Sequence, residues 1–540
     1  MKRRKMIGLI TGSAGIATGG FLMHPSVSYA GDNKREKTPD EPGNQVSSDQ
    51  LPPYIVFASQ TNARLDSNVI TGGGTDDTEI IQAILDKAPD LGNLHLVMDG
   101  AALVRGLNIH SNTTIECLNS SCGFFLAPQS NRSVIQNVNL NMSGERVDKN
   151  ITLLGGTYNQ NCKQQEHHIT LPGKGEKWVI TMEFYGVENF TMRDVTIRNQ
   201  RTFAMLMANW FRVNMENISI DLPDHEDKSN QDGLHFFGPG QFLTLKNIQG
   251  SSGDDFLAIA PDEHDGVSDI TDVLIDGVFL NNADQGIRLL SKGKGKLDRV
   301  IIKNITGTYR SFGFYIDPWF RNSSGNFGNI VFDTVDLRQS EPNYHYTPPF
   351  LFRLGGQIEN LTLRNIYHHK PVDNRSIIDI GWPNEDKGHD SCISFINSLL
   401  IDGLHVYHPH DEAPDSSLIK VSVPVNNLNI RNVQILKPEN SPQNVCLIET
   451  RRAGKINTLQ LNNIQSNCMQ HLVLHKTGEI DKIQLHNIFY TDSDNAMIKM
   501  EDGNIRQVFA GEIYNSELIS IGGKGEVGQI TGYKKKKSSK

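Results

Sequence analysis

The stretch Leu243-Thr244-Leu245-Lys246-Asn247-Ile248 returns thirty residues on as Val273-Leu274-Ile275-Asp276-Gly277-Val278, and again as Val300-Ile301-Ile302-Lys303-Asn304-Ile305. Apolar residues at i and i+2 have strand periodicity, and the three-residue step to the next apolar position needs a sharp bend between two short strands. The pattern begins at Phe190 and Val213 and continues at Ile330, Leu361, Leu399, Leu428, Leu459, Ile483 and Val508, twelve copies in all. Their eleven intervals span 318 residues, a mean period of about 29. Ile151 and Leu153 offer an earlier copy. In seven copies Asn stands immediately before the third apolar residue, at 217, 247, 304, 365, 432, 463 and 487. Asn tolerates left-handed backbone and can bond to an identical side chain one coil away, so a stack of Asn turns is expected.

A chain of 540 residues would ordinarily suggest three or four domains of about 150 residues each. The repeat replaces them with one continuous core. No helical pattern of ten residues lies between the copies, and the period suits an all-β, single-stranded parallel β-helix of about 12 or more coils, each pairing with the next at about 4.8 Å. Leucine-rich repeats have a shorter period and a Leu framework that is absent here. The open end of such a stack needs a cover. Gly74-Thr75-Asp76-Asp77-Thr78 followed by Ile80, Ile81, Ile84 and Leu85 reads as a short amphipathic capping helix, which makes Asp76 and Asp77 structural.

Composition agrees. Gly and Asn, 48 of each, make up nearly a fifth of the chain, so long helices do not dominate. At 37% apolar and 21% charged it is neither a membrane protein nor a disordered one. A net charge of -9 gives no reason to expect nucleic acid. Lys2, Arg3, Arg4 and Lys5, the apolar run from Met6 to Met23 and Ser28-Tyr29-Ala30 read as an export signal over residues 1–30, implying a secreted or periplasmic protein. The run is short and interrupted by glycines, so no membrane span is expected once it is removed, and the Arg3-Arg4 pair suits the twin-arginine route. Residues 31–50 read as a disordered linker, 51–525 as the β-helix and 526–540, with Lys534 to Lys537, as a basic disordered tail. Six cysteines, at 117, 122, 162, 392, 446 and 468, permit disulfides in an exported chain with fifteen possible full pairings, and none has metal-site spacing.

Two segments put carboxylates at equivalent points of adjacent coils: Asn230-Gln231-Asp232-Gly233-Leu234-His235 and Gly253-Asp254-Asp255-Phe256-Leu257. Aligning the strands that follow places Asp232 over Asp254 or Asp255, and His235, Leu257, Arg288 and Tyr315 on one line. Stacked acids repel, and crowding splits their protonation, leaving one as a proton donor and others as bases. Glycoside hydrolysis uses that division, one carboxylic acid protonating the departing oxygen while a carboxylate activates water. The structural alternative is a calcium site or a solvated turn.

The segments Asn230-Gln231-Asp232-Gly233, Gly253-Asp254-Asp255 and Gly286-Ile287-Arg288-Leu289 resemble three of the four signature segments of the glycoside hydrolase family 28, or polygalacturonase, enzymes. The resemblance implies a right-handed parallel β-helix of the pectin-lyase-like superfamily that hydrolyses pectic polysaccharides with inversion and without a cofactor. It implies Asp254 as general acid, Asp232 and Asp255 as positioning and deprotonating water, and Arg288 as a substrate ligand. Asn230, His235 and Tyr315 are further substrate-binding candidates.

Two departures stand out. Only 33 residues separate Asp255 from Arg288, too few for the coil that carries the family's Gly-His-Gly segment, and His264 on a loop is the candidate substitute. The lysine that the family carries two residues after the Arg is Leu290 here, with Lys292, Lys294 and Lys296 just beyond. Exposed aromatic rings could stack on sugars, and Trp319 after Asp317-Pro318 is the leading loop candidate, ahead of Tyr344 and Tyr346. Phe236, Phe237 and Phe320 lie nearby in sequence. The pairs His167-His168 and His368-His369 are expected at the surface.

The leading functional expectation is an exported polysaccharide hydrolase acting on a uronate-containing or pectin-like substrate. Polysaccharide lyase or uronate epimerase chemistry on the same fold is the second reading, and a non-catalytic carbohydrate-binding rod the third.

Overall fold

The computed structural model describes residues 52–532 and 534–536, apart from 172–174, 224–229, 319–322, 341–348, 370–376, 382–393, 408–415, 440–443, 491–494 and 515–516. The export signal and linker expected before residue 51 lie outside the described residues, as do Trp319, Phe320, Tyr344, Tyr346 and Cys392. No boundary divides residues 47–540, which form one unit.

Parallel strands stack coil on coil, and the repeat sets their register. Ile151 pairs with Phe190, Phe190 with Val213, Val213 with Leu243, Leu243 with Val273, and Val273 with Val300. The ladder continues through Ile330, Leu361, Leu399, Leu428, Leu459 and Ile483 to Val508. All twelve copies and the earlier one at Ile151 are therefore neighbours in space, their side chains filling one core that runs through the stack. The ladder then goes further than expected. Glu526–Thr531 pairs with Asn504–Ala510, so the start of the predicted basic tail is one more coil, and Lys534–Lys536 pairs with Glu512–Tyr514. The cause is Val527 and Ile530, whose spacing continues the ladder into a sequence otherwise read for its lysines.

The bends follow the asparagines. Asn217, Asn247, Asn304, Asn365, Asn432, Asn463 and Asn487 all have φ between 50° and 59°, a region that other side chains resist. Asn247 donates through Nδ2 to Asn217 Oδ1 at 3.1 Å, and Asn463 to Asn432 at 2.8 Å. Where a copy lacks Asn the turn uses a substitute, as at Gly277 with φ of 83°.

Helix α1, Thr78–Leu85, covers the first coils with Ile81, Ile84 and Leu85 buried. The carboxylate of Asp77 accepts the backbone N–H groups of Arg64 and Leu65 at 2.7 and 2.9 Å, and Asp76 accepts Thr78 N–H at 3.0 Å and Arg105 Nε–H at 2.8 Å. Both acids are structural. Asp77 does so by holding the incoming chain and not by a side-chain bond to the helix start.

Cys117, Cys122 and Cys446 are buried free thiols, which rules out a full three-bridge pairing. His368, expected at the surface, is buried against the Tyr309 hydroxyl at 2.9 Å. Desolvation there pushes its ring down to about 3, so it is neutral.

Candidate active site

One face of each coil contributes a short strand to a parallel sheet that includes Leu234–Phe237, Asp255–Ala260, residues 285–290, residues 312–317, Phe350–Leu354 and Ile378–Ile380. Strand alternation sends Leu234, Phe236, Leu257, Ile259, Ile287 and Leu289 into the core. The residues between them point outward. Leu234 pairs with Leu257 and Leu257 with Ile287, so the outward line is His235, Ala258, Arg288, Tyr315 and Arg353. The expected register was off by one at its second member: Leu257 is core, and Ala258 takes the place in the line. By the same register Asp232 sits over Asp255.

Asp255 pairs directly with Gln285 across one coil interface. No coil intervenes between the paired acids and the Arg, as the 33-residue spacing requires. Gln285 instead reaches back, donating Nε2–H to Asp254 Oδ1 at 2.7 Å. Arg288 Nη1 donates to Asp255 Oδ2 at 3.0 Å, and its guanidinium lies 5.4 Å from the centre of the Tyr315 ring.

His235 is fully committed. Its Nδ1 lies 2.8 Å from Asp232 Oδ2 and its Nε2 lies 3.1 Å from Glu263 Oε2. Phe203 stacks on the ring at 4.9 Å. His235 and Tyr315, both expected as substrate ligands, are buried by these neighbours, which leaves the Arg288 side chain, 14% exposed, as the accessible member of the line. Asn230 is half-buried just before Asp232. His264 is exposed and stacks on Phe237 at 6.2 Å. Phe236 is core.

The charges are unevenly settled. Burial, reinforced by the charges of Asp255 and Asp232, holds the Asp254 carboxyl well above the usual range. Burial also raises Asp232, to about 6 in spite of the bond from His235. Burial raises Asp255, with Arg288 pulling the other way. Burial alone would lower His235, but the hydrogen bonds to Asp232 and Glu263 carry it up to about 10, so the ring is an imidazolium donating to both. Oδ1 of Asp232 and Oδ1 of Asp255 have no hydrogen-bond partner among the described residues.

Glu263 was not foreseen. It lies on the loop after Asp255–Ala260, where no periodic signal marks it, and reaches the site because that loop folds back over His235. Its neighbour Asp262 fixes the Gly-Lys turn by accepting the N–H groups of Lys292, Gly293 and Gly295 at 2.7 to 3.0 Å. That places Lys292 Nζ on the Glu263 carbonyl oxygen at 2.5 Å. Leu290, at the position of the family's lysine, is buried.

The fold is thus a parallel β-helix that gathers three carboxylates and an arginine on adjacent coils of one sheet. Residues 126–343, which include the coils that carry the acids, match the family model described as Glycosyl hydrolases family 28. Over 180 residues the chain is 23% identical to a polygalacturonase of Gossypium barbadense, covering 33% of this chain and 40% of that protein. It thus spans about two fifths of the length of this curated relative. Among solved structures, the pre-mature bacteriophage phi29 gene product 12 aligns with a TM-score of 0.50 at 16% identity, over 89% of this chain and 66% of that one. A Yersinia enterocolitica family 28 exopolygalacturonase aligns with a TM-score of 0.45 at 13% identity, over 84% and 78%.

Proposed function

We propose that the protein is a glycoside hydrolase that cleaves a uronate-containing, pectin-like polysaccharide with inversion. The observation that supports it most is the gathering of three carboxyls on adjacent coils around one arginine, with Arg288 bonded to Asp255 at 3.0 Å and Gln285 to Asp254 at 2.7 Å. A carboxyl held protonated at neutral pH is a proton donor, and ionised carboxylates beside it are bases. Asp254 gives its proton to the glycosidic oxygen as the bond to the anomeric carbon breaks. Asp232 and Asp255 orient a water and take its proton as its oxygen attacks that carbon from the other face. Water is the only co-reactant, its hydroxyl ending on one sugar and a hydrogen on the other. Asp254 recovers its proton from solvent as the base releases to solvent the proton it took from water.

Arg288 serves two ends. It favours the ionised form of Asp255, and its accessible edge can hold a sugar carboxylate. His235, charged by its two acids, keeps Asp232 in one orientation as a positioning residue.

The test is a purified-enzyme assay on acidic and neutral polysaccharides that reads reducing ends and absorbance near 230 nm together. Hydrolysis gives reducing ends alone, and inversion gives the opposite anomer first by NMR. Unsaturated products would mean elimination and sink the hydrolase reading. Undiminished activity in both Asp254→Asn and Asp232→Asn would do the same.

A further inference from the structure

A polysaccharide that lies along many coils needs an open trough, and an open trough leaves its outward side chains wet. The outward line of this sheet is dry on both sides of the acids. Leu206, one coil before His235, and Tyr315, Arg353 and Asp379, on the coils after Arg288, are each no more than 5% exposed. Between them accessibility returns at Asp254, at the Arg288 side chain and at Glu263, whose side chain is 24% exposed.

The wall on the earlier coils is apolar. Leu206 packs with Ile180, Tyr185 and Phe203 in a cluster separate from the main core, with Leu140 and Met142 against it. An antiparallel hairpin, His168–Leu171 with Gly175–Trp178, builds the wall outward. Trp178 stands edge-on to Phe203 at 4.8 Å and is 38% exposed, and Lys177 Nζ ties the hairpin down to Glu183 Oε2 at 2.8 Å. On the later coils the Tyr315 ring fills the line, with the guanidinium groups of Arg288 and Arg353 at 5.4 and 4.9 Å from its centre.

We propose that these walls make the site a pocket for a chain end, so that the enzyme releases short products from a terminus and does not cut within the chain. A hydroxylated chain cannot pass the earlier wall without prising buried apolar side chains into water. A terminus can enter beside Trp178, whose exposed ring offers a surface to a pyranose. The proposal rests on the hydrolase reading above.

The experiment follows wild-type enzyme on polygalacturonate by viscosity, reducing ends and product size, with a parallel set of oligogalacturonates blocked at one terminus or the other. A chain-end enzyme yields one short product from the first time point, with little loss of viscosity per bond cut, and one of the two blocked sets resists. Early collapse of viscosity with a ladder of intermediate oligomers, both blocked sets being cut, overturns the pocket while leaving the hydrolase reading intact. No reducing ends from any polysaccharide overturns both.

Discussion

His235 Nδ1 donates to Asp232 Oδ2 at 2.8 Å, three positions back along the chain, and this bond ties the protonation of the site to the stability of the fold. His235 is raised from 6.5 to about 10, so its contribution to stability is full below about pH 6.5 and is lost as pH rises through 10. Asp232 is raised from 3.8 to about 6, so its contribution is full below pH 3.8 and is lost as pH rises through 6. Thermal melts across a pH series should show stability falling with rising pH in both windows. His235→Gln should flatten the upper one, and an unchanged alkaline slope in that variant would contradict the assignment.

Asp254→Asn, Asp232→Asn and Asp255→Asn should each lower kcat by roughly 10²- to 10⁴-fold, the usual worth of a positioned acid or base. Asp254→Asn removes a carboxyl already held protonated, so its melting temperature should hold. Asp232→Asn and Asp255→Asn take a partner from buried His235 and Arg288 and should lower the midpoint, so their activity is read well below it.

Arg288→Ala leaves Asp255 buried without its cation, which costs about 3–5 kcal/mol for a broken buried pair. Arg288→Lys keeps a charge and should recover part of the stability but less of the binding, because lysine lacks the planar fork. Denaturant midpoints together with KM on a uronate substrate separate the two effects.

Asn247 carries φ of 53° and the bond to Asn217. Asn247→Ala should destabilise by about 1–2 kcal/mol from the left-handed backbone alone. Asn247→Gly, free to adopt that φ, should cost less in the same denaturant titration. Equal losses would mean that the side-chain stack, and not the backbone, sets the bend.

The fold was legible because the β-helix writes its register into the chain: every coil repeats Leu243-x-Leu245-x-Asn247-Ile248 in some form, and the same positions meet in space. The three acids and Arg288 were legible for the same reason, lying at fixed offsets from those strands. Leu257 falls on the line only when Asp232 is set over Asp254, and Ala258 when it is set over Asp255. Aligning the alternating apolar pairs Leu234 and Phe236 with Leu257 and Ile259 selects Ala258 at once. Glu263 and the Trp178 hairpin were not legible, since both reach the site through loops whose path depends on what they pack against. The burial of His235 and Tyr315 was equally hidden, because sequence alternation says which residues point outward but not what covers them.

In a stack where each coil leans only on its two neighbours, opening begins at the termini of the stack and works inward. The pairing runs from Tyr54–Phe57 at one end to Glu526–Thr531 at the other, and the acids lie well inside both. Amide deuterium uptake should therefore be quickest at those two strands and slowest around Leu257 and Ile287. Fraying at either extremity, or a protease nick there, would leave the carboxylates clasped between intact layers.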